Sequence, residues 1–169
     1  MGHKINPTSF RIKITDTWKS RWFSKDHYAQ FLQEDVQIRE YLEKHLKRAG
    51  LVRIDIERSN GVVTVIIKTT KPGLIIGKGG AGIEELKKKL ATKVGIKREL
   101  RVNIEEVRDV NLQALSIANG ITEQLEKRAA FRKLMKQTLE QVMNAGAKGV
   151  RVAIGGRLNG ADIARTEHL

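Results

Sequence analysis

The sequence predicts an α+β fold, and three observations predict it. Between residues 51 and 68, apolar residues alternate with polar ones on both sides of Asn60-Gly61, the pattern of two half-buried antiparallel strands joined by a tight turn. The glycine-rich stretch Gly77-Lys78-Gly79-Gly80 separates two segments of helical period, and a third alternating run, Leu100, Val102 and Ile104, follows. From Asp109 the helical period returns for two consecutive segments before a last alternating run, Val150, Val152 and Ile154. Only one β-α-β unit could be drawn through this order, so helices and strands segregate rather than alternate.

Taken in order, residues 1–23 form a basic arm carrying Lys4, Arg11, Lys13, Lys19 and Arg21, with Pro7 near its start. Interleaved Ile5, Phe10, Ile12, Ile14, Trp18 and Trp22 predict that part of it packs. Ser24 is placed to cap a helix running to Arg48, with Tyr28, Phe31, Leu32, Ile38, Leu42 and Leu46 on its apolar face and a break allowed at Gln33-Glu34-Asp35. Gly50 ends it. Val52, Ile54 and Ile56, then Val63, Val65 and Ile67, make the strand pair around a type I′ turn at Asn60-Gly61. Pro72 stops the return strand, and Leu74-Ile75-Ile76 fits one helical turn. A second helix places Ile83, Leu86, Leu90 and Val94 on one face and ends at Gly95, before the strand at Leu100–Ile104. In the later helices Ala114, Ala118, Ile121 and Leu125 line one, and Phe131, Leu134, Met135, Leu139 and Val142 the next. Residues 24–108 are therefore expected to form an α-β-β-α-α-β unit. Residues 109–169 are expected to form a second α/β domain, with a helix pair and one strand that has no evident partner, so that this domain is incomplete.

The charge balance is the strongest bulk signal. Among 169 residues, 32 Lys and Arg stand against 19 Asp and Glu, a formal +13 with a pI near 10.2. Such a chain repels itself unless a polyanion relieves it, and nucleic acid also adds counterion release. A membrane surface is the second candidate partner and a simple cationic surface the bland alternative. No cysteine is present, which excludes disulfides and thiolate metal sites. His3, His27, His45 and His168 have no metal-spaced neighbours, and His45 reads as a packed helix residue. No apolar run approaches a membrane span of about 18 residues, and the start, residues 1–7, lacks the apolar core of a signal peptide. No catalytic set and no cofactor site are evident.

Three phosphate-linked motifs compete for residues 73–83. A P-loop fails because three residues, not four, separate Gly73 from Gly77, and Gly79 offers no hydroxyl for Mg²⁺ after Lys78. Gly77, Gly79 and Gly82 satisfy G-x-G-x-x-G, but a dinucleotide fold needs a strand running straight into the first glycine, and Pro72 interrupts it. The third motif is the KH loop, Ile-Gly-x-x-Gly, here Ile76-Gly77-Lys78-Gly79-Gly80. Its glycines let backbone approach a single strand, and the following helix presents free N–H groups to phosphate. The surrounding element order matches the type II KH arrangement. A ligand-free tight turn between helices is the alternative. Further along, Lys127, Arg128, Arg132, Lys133 and Lys136 crowd the junction of the late helices, and the spacing of Arg128, Arg132 and Lys136 by four predicts one shared face. Like charges so placed repel, which points to an anion partner; a solvated face is the alternative, with Glu123 and Glu126 nearby.

Several segments together carry a resemblance. They are residues 1–7 with Phe10-Arg11, Trp18 and Trp22; Pro72-Gly73-Leu74-Ile75-Ile76-Gly77-Lys78; Gln124-Leu125-Glu126-Lys127-Arg128 with Phe131-Arg132-Lys133; Gly146-Ala147-Lys148-Gly149; and residues 156–167 from Gly156-Arg157-Leu158 to Arg165-Thr166-Glu167. These resemble the bacterial-type small-subunit ribosomal protein S three family. The resemblance implies a non-enzymatic protein of the small-subunit head that binds ribosomal RNA and neighbours ribosomal proteins ten and fourteen. It would be ribosome-bound in the cytoplasm or in an organelle. It also implies that Arg128, Arg132, Lys133 and Lys136 line the channel by which messenger RNA enters and help part its secondary structure. Gly77, Lys78, Gly79 and Gly80 would form the RNA-binding loop, with Lys4, Arg11, Lys13, Arg157 and Arg165 as further ribosomal RNA contacts. Gly79 stands where family members often carry a second cation, which would weaken the loop's electrostatic grip. The family continues with more strands, in keeping with the unpartnered one.

Overall fold

The computed structural model describes residues 2–59, 61–95 and 98–169. After a short helix α1 (Pro7–Arg11), the first sheet has the order β1 (Ser20–Arg21), β2 (Leu51–Ser59), β3 (Val62–Thr69), β4 (Glu99–Glu106). β2 and β3 are antiparallel, whereas β1 and β4 run parallel to their neighbours. Three helices belong with this sheet: α2 (Tyr28–His45), the single turn α3 (Pro72–Ile76) and α4 (Ala81–Val94). This is the expected α-β-β-α-α-β order. Its core joins Ile38 and Leu42 of α2, Ile54 and Ile56 of β2, Val63, Val65 and Ile67 of β3, and Leu90 of α4. Burying each such side chain contributes about 1.5–3 kcal/mol before chain entropy is set against it.

A second part follows. Helices α5 (Ala114–Glu126) and α6 (Phe131–Asn144) precede a two-stranded antiparallel sheet of β5 (Ala153–Gly156) and β6 (Arg165–His168). A separate apolar cluster of Phe131, Met135, Val152, Ile154 and Leu158 holds it together, with Ile121, Leu125 and Val150 packed alongside.

Several expectations change. The strand at Val150–Ile154 does have a partner: Ile154 faces Glu167, and the Val152 and Leu169 backbones exchange hydrogen bonds at 3.0 Å. Helix α2 is unbroken through Gln33-Glu34-Asp35 and spans Tyr28–His45 rather than 24–48; Ser24 instead accepts a bond from the His27 N–H at 3.1 Å. In β2 the pairing shifts between Leu51 and Arg53, so Val52 is the extra residue of a bulge and Leu51 takes the core position. In α5 the stripe is Ile117, Ile121 and Leu125, while Ala114 and Ala118 are exposed. His45 is exposed but stacked on Tyr41, ring centroids 4.0 Å apart. The turn predicted at Asn60-Gly61 includes residue 60, outside the described residues; Gly61 has φ 79°.

Only the end of the arm packs. Ile5, Phe10, Ile14 and Trp18 are exposed, whereas Ser20–Arg21 joins the sheet and Trp22 is half-buried. The reason is a buried carboxylate. Asp35 accepts bonds from Ser20 Oγ (2.8 Å), Trp22 Nε1 (2.8 Å) and Arg58 Nη2 (2.6 Å) and Nε (3.1 Å). Arg58 also reaches Glu34 at 2.6 Å, and the side chains of Arg58 and Asp35 are only 4% and 2% exposed. Arg39 adds bonds to the carbonyls of Ile54 (2.6 Å) and Lys19 (2.9 Å); burial lowers its pKa against the raising effect of Asp35.

Candidate nucleic-acid interface

The glycine loop is built from the end of β3. Thr69 Oγ1 donates to the Ala49 carbonyl at 2.6 Å and accepts from the Lys71 N–H at 3.2 Å, which turns the chain before Pro72 opens α3. After one turn the Gly77 N–H closes on the Gly73 carbonyl at 3.0 Å. Gly77 then takes φ 69°, ψ −176°, a region open only to glycine, and Gly80 is left-handed at φ 82°. Lys78–Gly80 makes a 3-10 turn into α4. Lys78 is exposed and has no ion-pair partner among the described residues. Exposed Leu74 and Ile76 flank the loop. Bare backbone, the cation Lys78, the N-terminal end of α4 and an apolar shoulder together can receive phosphate and base of one strand.

The second cationic region lies on the other part of the chain. Arg132, Lys133 and Lys136 are exposed on α6, and neither lysine has an ion-pair partner among the described residues. Arg132 reaches Glu167 of β6 at 3.4 Å, and Arg165 reaches the same carboxylate at 2.9 Å. Hydrogen bonding to Arg132, with Arg165 adding to it, holds the Glu167 carboxyl below its ordinary range. Both guanidinium groups lie near the Phe131 ring, 5.7 and 5.9 Å from its centroid. Arg128 does not share the helix face predicted from its spacing. It lies in the α5–α6 turn at φ 61°, where its N–H bonds the Leu125 carbonyl at 2.9 Å. The i, i+4 rule applies only inside a helix, and the helix ends at Glu126.

Comparison with known proteins bears on both regions. The family model described as KH domain matches residues 37–112, and the one described as Ribosomal protein S3, C-terminal domain, matches residues 121–169. Small ribosomal subunit protein uS3 of Halalkalibacterium halodurans is 45% identical over 168 residues, covering 99% of this chain and 76% of that protein. The uS3 proteins of Gloeothece citriformis and Myxococcus xanthus are each 47% identical, with 99% of this chain aligned to 70% and 75% of theirs. The chain belongs to the uS3 family.

Within this family member the expected site residues fall into four groups. Gly77, Lys78, Gly79 and Gly80 form the loop at the α3–α4 junction. Arg132, Lys133 and Lys136 sit on α6, and Arg165 joins them through Glu167. Arg128 and Arg157 line a groove between the α5–α6 turn and β5. Lys4, Arg11 and Lys13 stay on the exposed arm, where Arg11 bonds the Pro7 carbonyl at 3.3 Å and Lys13 has φ 71°. Two residues that shape these sites were missed. Gly82 was read only as part of a dinucleotide pattern, yet a Cβ there would lie 2.5 Å from the Ile75 carbonyl oxygen and 2.9 Å from that of Ile76. Its absence of a side chain lets α4 start against α3. Glu167 lies in the segment that carries the resemblance, and nothing local tells of Arg132, its partner 35 residues earlier. Among the described residues no cluster of His, Asp or Glu could hold a metal, and no helix is long and apolar enough to cross a membrane.

Proposed function

We propose that this chain is a structural, RNA-binding constituent of the small ribosomal subunit, in which the Gly77–Gly80 loop holds a single strand of ribosomal RNA. The exposed α6 cations Arg132, Lys133 and Lys136, with Arg128 beside them, line the channel by which messenger RNA enters. Ribosomal proteins ten and fourteen of the small subunit are its protein neighbours. The observation that carries the channel role is the pair Lys133 and Lys136, exposed on one helix and without an ion-pair partner among the described residues, next to an Arg132 that Glu167 holds in place. Fixed cations of this kind favour the separated strands of a message. Each thermal opening of a base pair frees a strand whose phosphates the cations then hold, so the equilibrium shifts without a nucleotide-driven step.

The test is translation of two messages differing only in a stable hairpin downstream of the start site, by ribosomes carrying Arg132→Ala, Lys133→Ala and Lys136→Ala together. The expected result is slower translation of the structured message, with normal subunit assembly and little change on the unstructured one. Equal slowing on both messages would refute the channel role. Loss of the protein from small subunits sedimented in high salt would refute the structural role.

A further inference from the structure

We infer that Asn159-Gly160 is a spontaneous modification site, at which the asparagine loses its side-chain nitrogen and leaves aspartate or isoaspartate in the turn between β5 and β6. The reaction needs only water. The Gly160 backbone nitrogen, after losing its proton, attacks the side-chain carbonyl carbon of Asn159. A new C–N bond closes a cyclic imide, and the side-chain nitrogen leaves as ammonia. Water then opens either carbonyl of the ring. One opening gives aspartate; the other gives isoaspartate, whose main chain runs through the former side chain and is a carbon longer. Glycine after asparagine favours the attack because no side chain shields its nitrogen.

The chain holds three Asn-Gly pairs, at 60–61, 119–120 and 159–160, and Asn60 lies outside the described residues. The fold treats the other two differently. Gly120 stands in the middle of α5, where its N–H belongs to the helix ladder, so Asn119 cannot reach that nitrogen unless the helix opens. Asn159 is exposed, and its side-chain amide makes no hydrogen bond among the described residues. It stands at φ 56°, ψ 27°, a left-handed region that a residue bearing a Cβ holds at a cost, which lowers the work of leaving it. The attacking nitrogen is held by the bond from the Gly160 N–H to the Arg157 carbonyl at 3.1 Å. Ring closure requires rotation about the Asn159 Cα–C bond away from ψ 27°, which carries that nitrogen off the carbonyl. Nothing stands within 4 Å of where a Cβ of Gly160 would be, so the turn has room to open. Buried Leu158 and the bond from Arg157 Nε to the Ala161 carbonyl at 2.8 Å keep its two ends in place. Arg128 and Arg157 line the same groove as Asn159, and no carboxylate lines it. Positive charge there favours the deprotonated nitrogen, the oxyanion of the attack and the carboxylate of the product.

The experiment holds the full chain at neutral and at mildly alkaline pH, folded and in concentrated urea. Trypsin then releases residues 158–165 and 109–127 as separate peptides, bounded by Arg157 and Arg165 and by Arg108 and Lys127. Chromatography and mass spectrometry resolve the asparagine, aspartate and isoaspartate forms of each. In urea the two pairs should react at similar rates, since both are Asn-Gly in an open chain. In the folded chain Asn159 should react faster than Asn119 by at least about ten-fold, because one exposed turn opens more readily than a helix. Alkali should speed the reaction, since the attacking nitrogen must first lose its proton. Arg128→Gln, which removes a charge from the groove and leaves both peptides intact, should slow the folded reaction several-fold and leave the urea rate unchanged. An Asn159 that stays intact in the folded chain while reacting in urea would mean that the Gly160 bond locks the turn, and the site is overturned. Equal rates at Asn159 and Asn119 in the folded chain would overturn the selection by structure. An unchanged folded rate in Arg128→Gln would overturn the part assigned to the cations.

Discussion

Gly82→Ala should destabilise this protein, although a glycine in a helix normally invites the opposite expectation. Gly82 is the second residue of α4, and helix propensity alone would credit alanine with about 1 kcal/mol. The tertiary contact opposes this. The new Cβ would meet the carbonyl oxygens of Ile75 and Ile76 at 2.5 and 2.9 Å, where ordinary contact begins near 3.4 Å. Both neighbours are backbone, so no side chain can swing away, and α3 and α4 must part by roughly 0.9 Å. Overpacking of this kind costs about 3 kcal/mol, the upper end of the usual range. The net loss is about 2 kcal/mol, a fall of roughly 4–8 °C in melting temperature for a chain of this size. Gly120→Ala is the matched control. Gly120 also lies within a helix, but nothing stands within 4 Å of its added Cβ, so that variant should gain about 1 kcal/mol. Urea and thermal denaturation of both, with single-stranded RNA binding measured beside them, give the answer. If Gly82→Ala is as stable as Gly120→Ala, the close approach of α3 and α4 is not what shapes the loop.

Other perturbations test the remaining contacts. Asp35→Ala leaves Arg58 buried with Glu34 as its remaining carboxylate partner among the described residues and frees Ser20 and Trp22, so a loss of about 3–5 kcal/mol is expected in equilibrium unfolding, with tryptophan fluorescence reporting release of the arm; a loss below about 1 kcal/mol would contradict the anchoring role. Glu167→Gln should raise affinity for single-stranded RNA by removing an anion from the α6 face, with only a small change in stability because Arg132 is exposed and Glu167 only half-buried. Weaker binding would mean that Glu167 chiefly positions Arg132. The Glu167 carboxyl has a depressed folded-state pKa, so its tether to Arg132 and Arg165 is present above the ordinary carboxylate range and is lost as pH falls through the folded value. Carboxylate NMR chemical shifts across an acid titration should place that midpoint below the midpoint of the same Glu167 carboxyl in the double variant Arg132→Gln, Arg165→Gln. An unchanged midpoint would remove the pair.

What the sequence by itself determined follows from interactions local along the chain. Period-two runs marked β2, β3 and β4, a helical period marked α2, α4, α5 and α6, and Pro72 with Gly77-Lys78-Gly79-Gly80 marked the loop between α3 and α4. Charge balance alone pointed to a polyanion, nucleic acid first, because the sum of charges does not depend on how the chain is folded. Long-range contacts decided the rest. β6 escaped notice because Arg165-Thr166-Glu167-His168 has no apolar alternation; it is a strand because Ala153–Gly156 offers it a ladder. Asp35 looked like a helix breaker and proved to be the anchor of the arm, since its donors lie on Ser20, Trp22 and Arg58. Arg128 looked like part of a helical stripe and sits instead in a left-handed turn that opens onto a groove shared with Arg157. Spacing along a chain predicts neighbours only while the helix lasts, and where it ends is set by what packs around it.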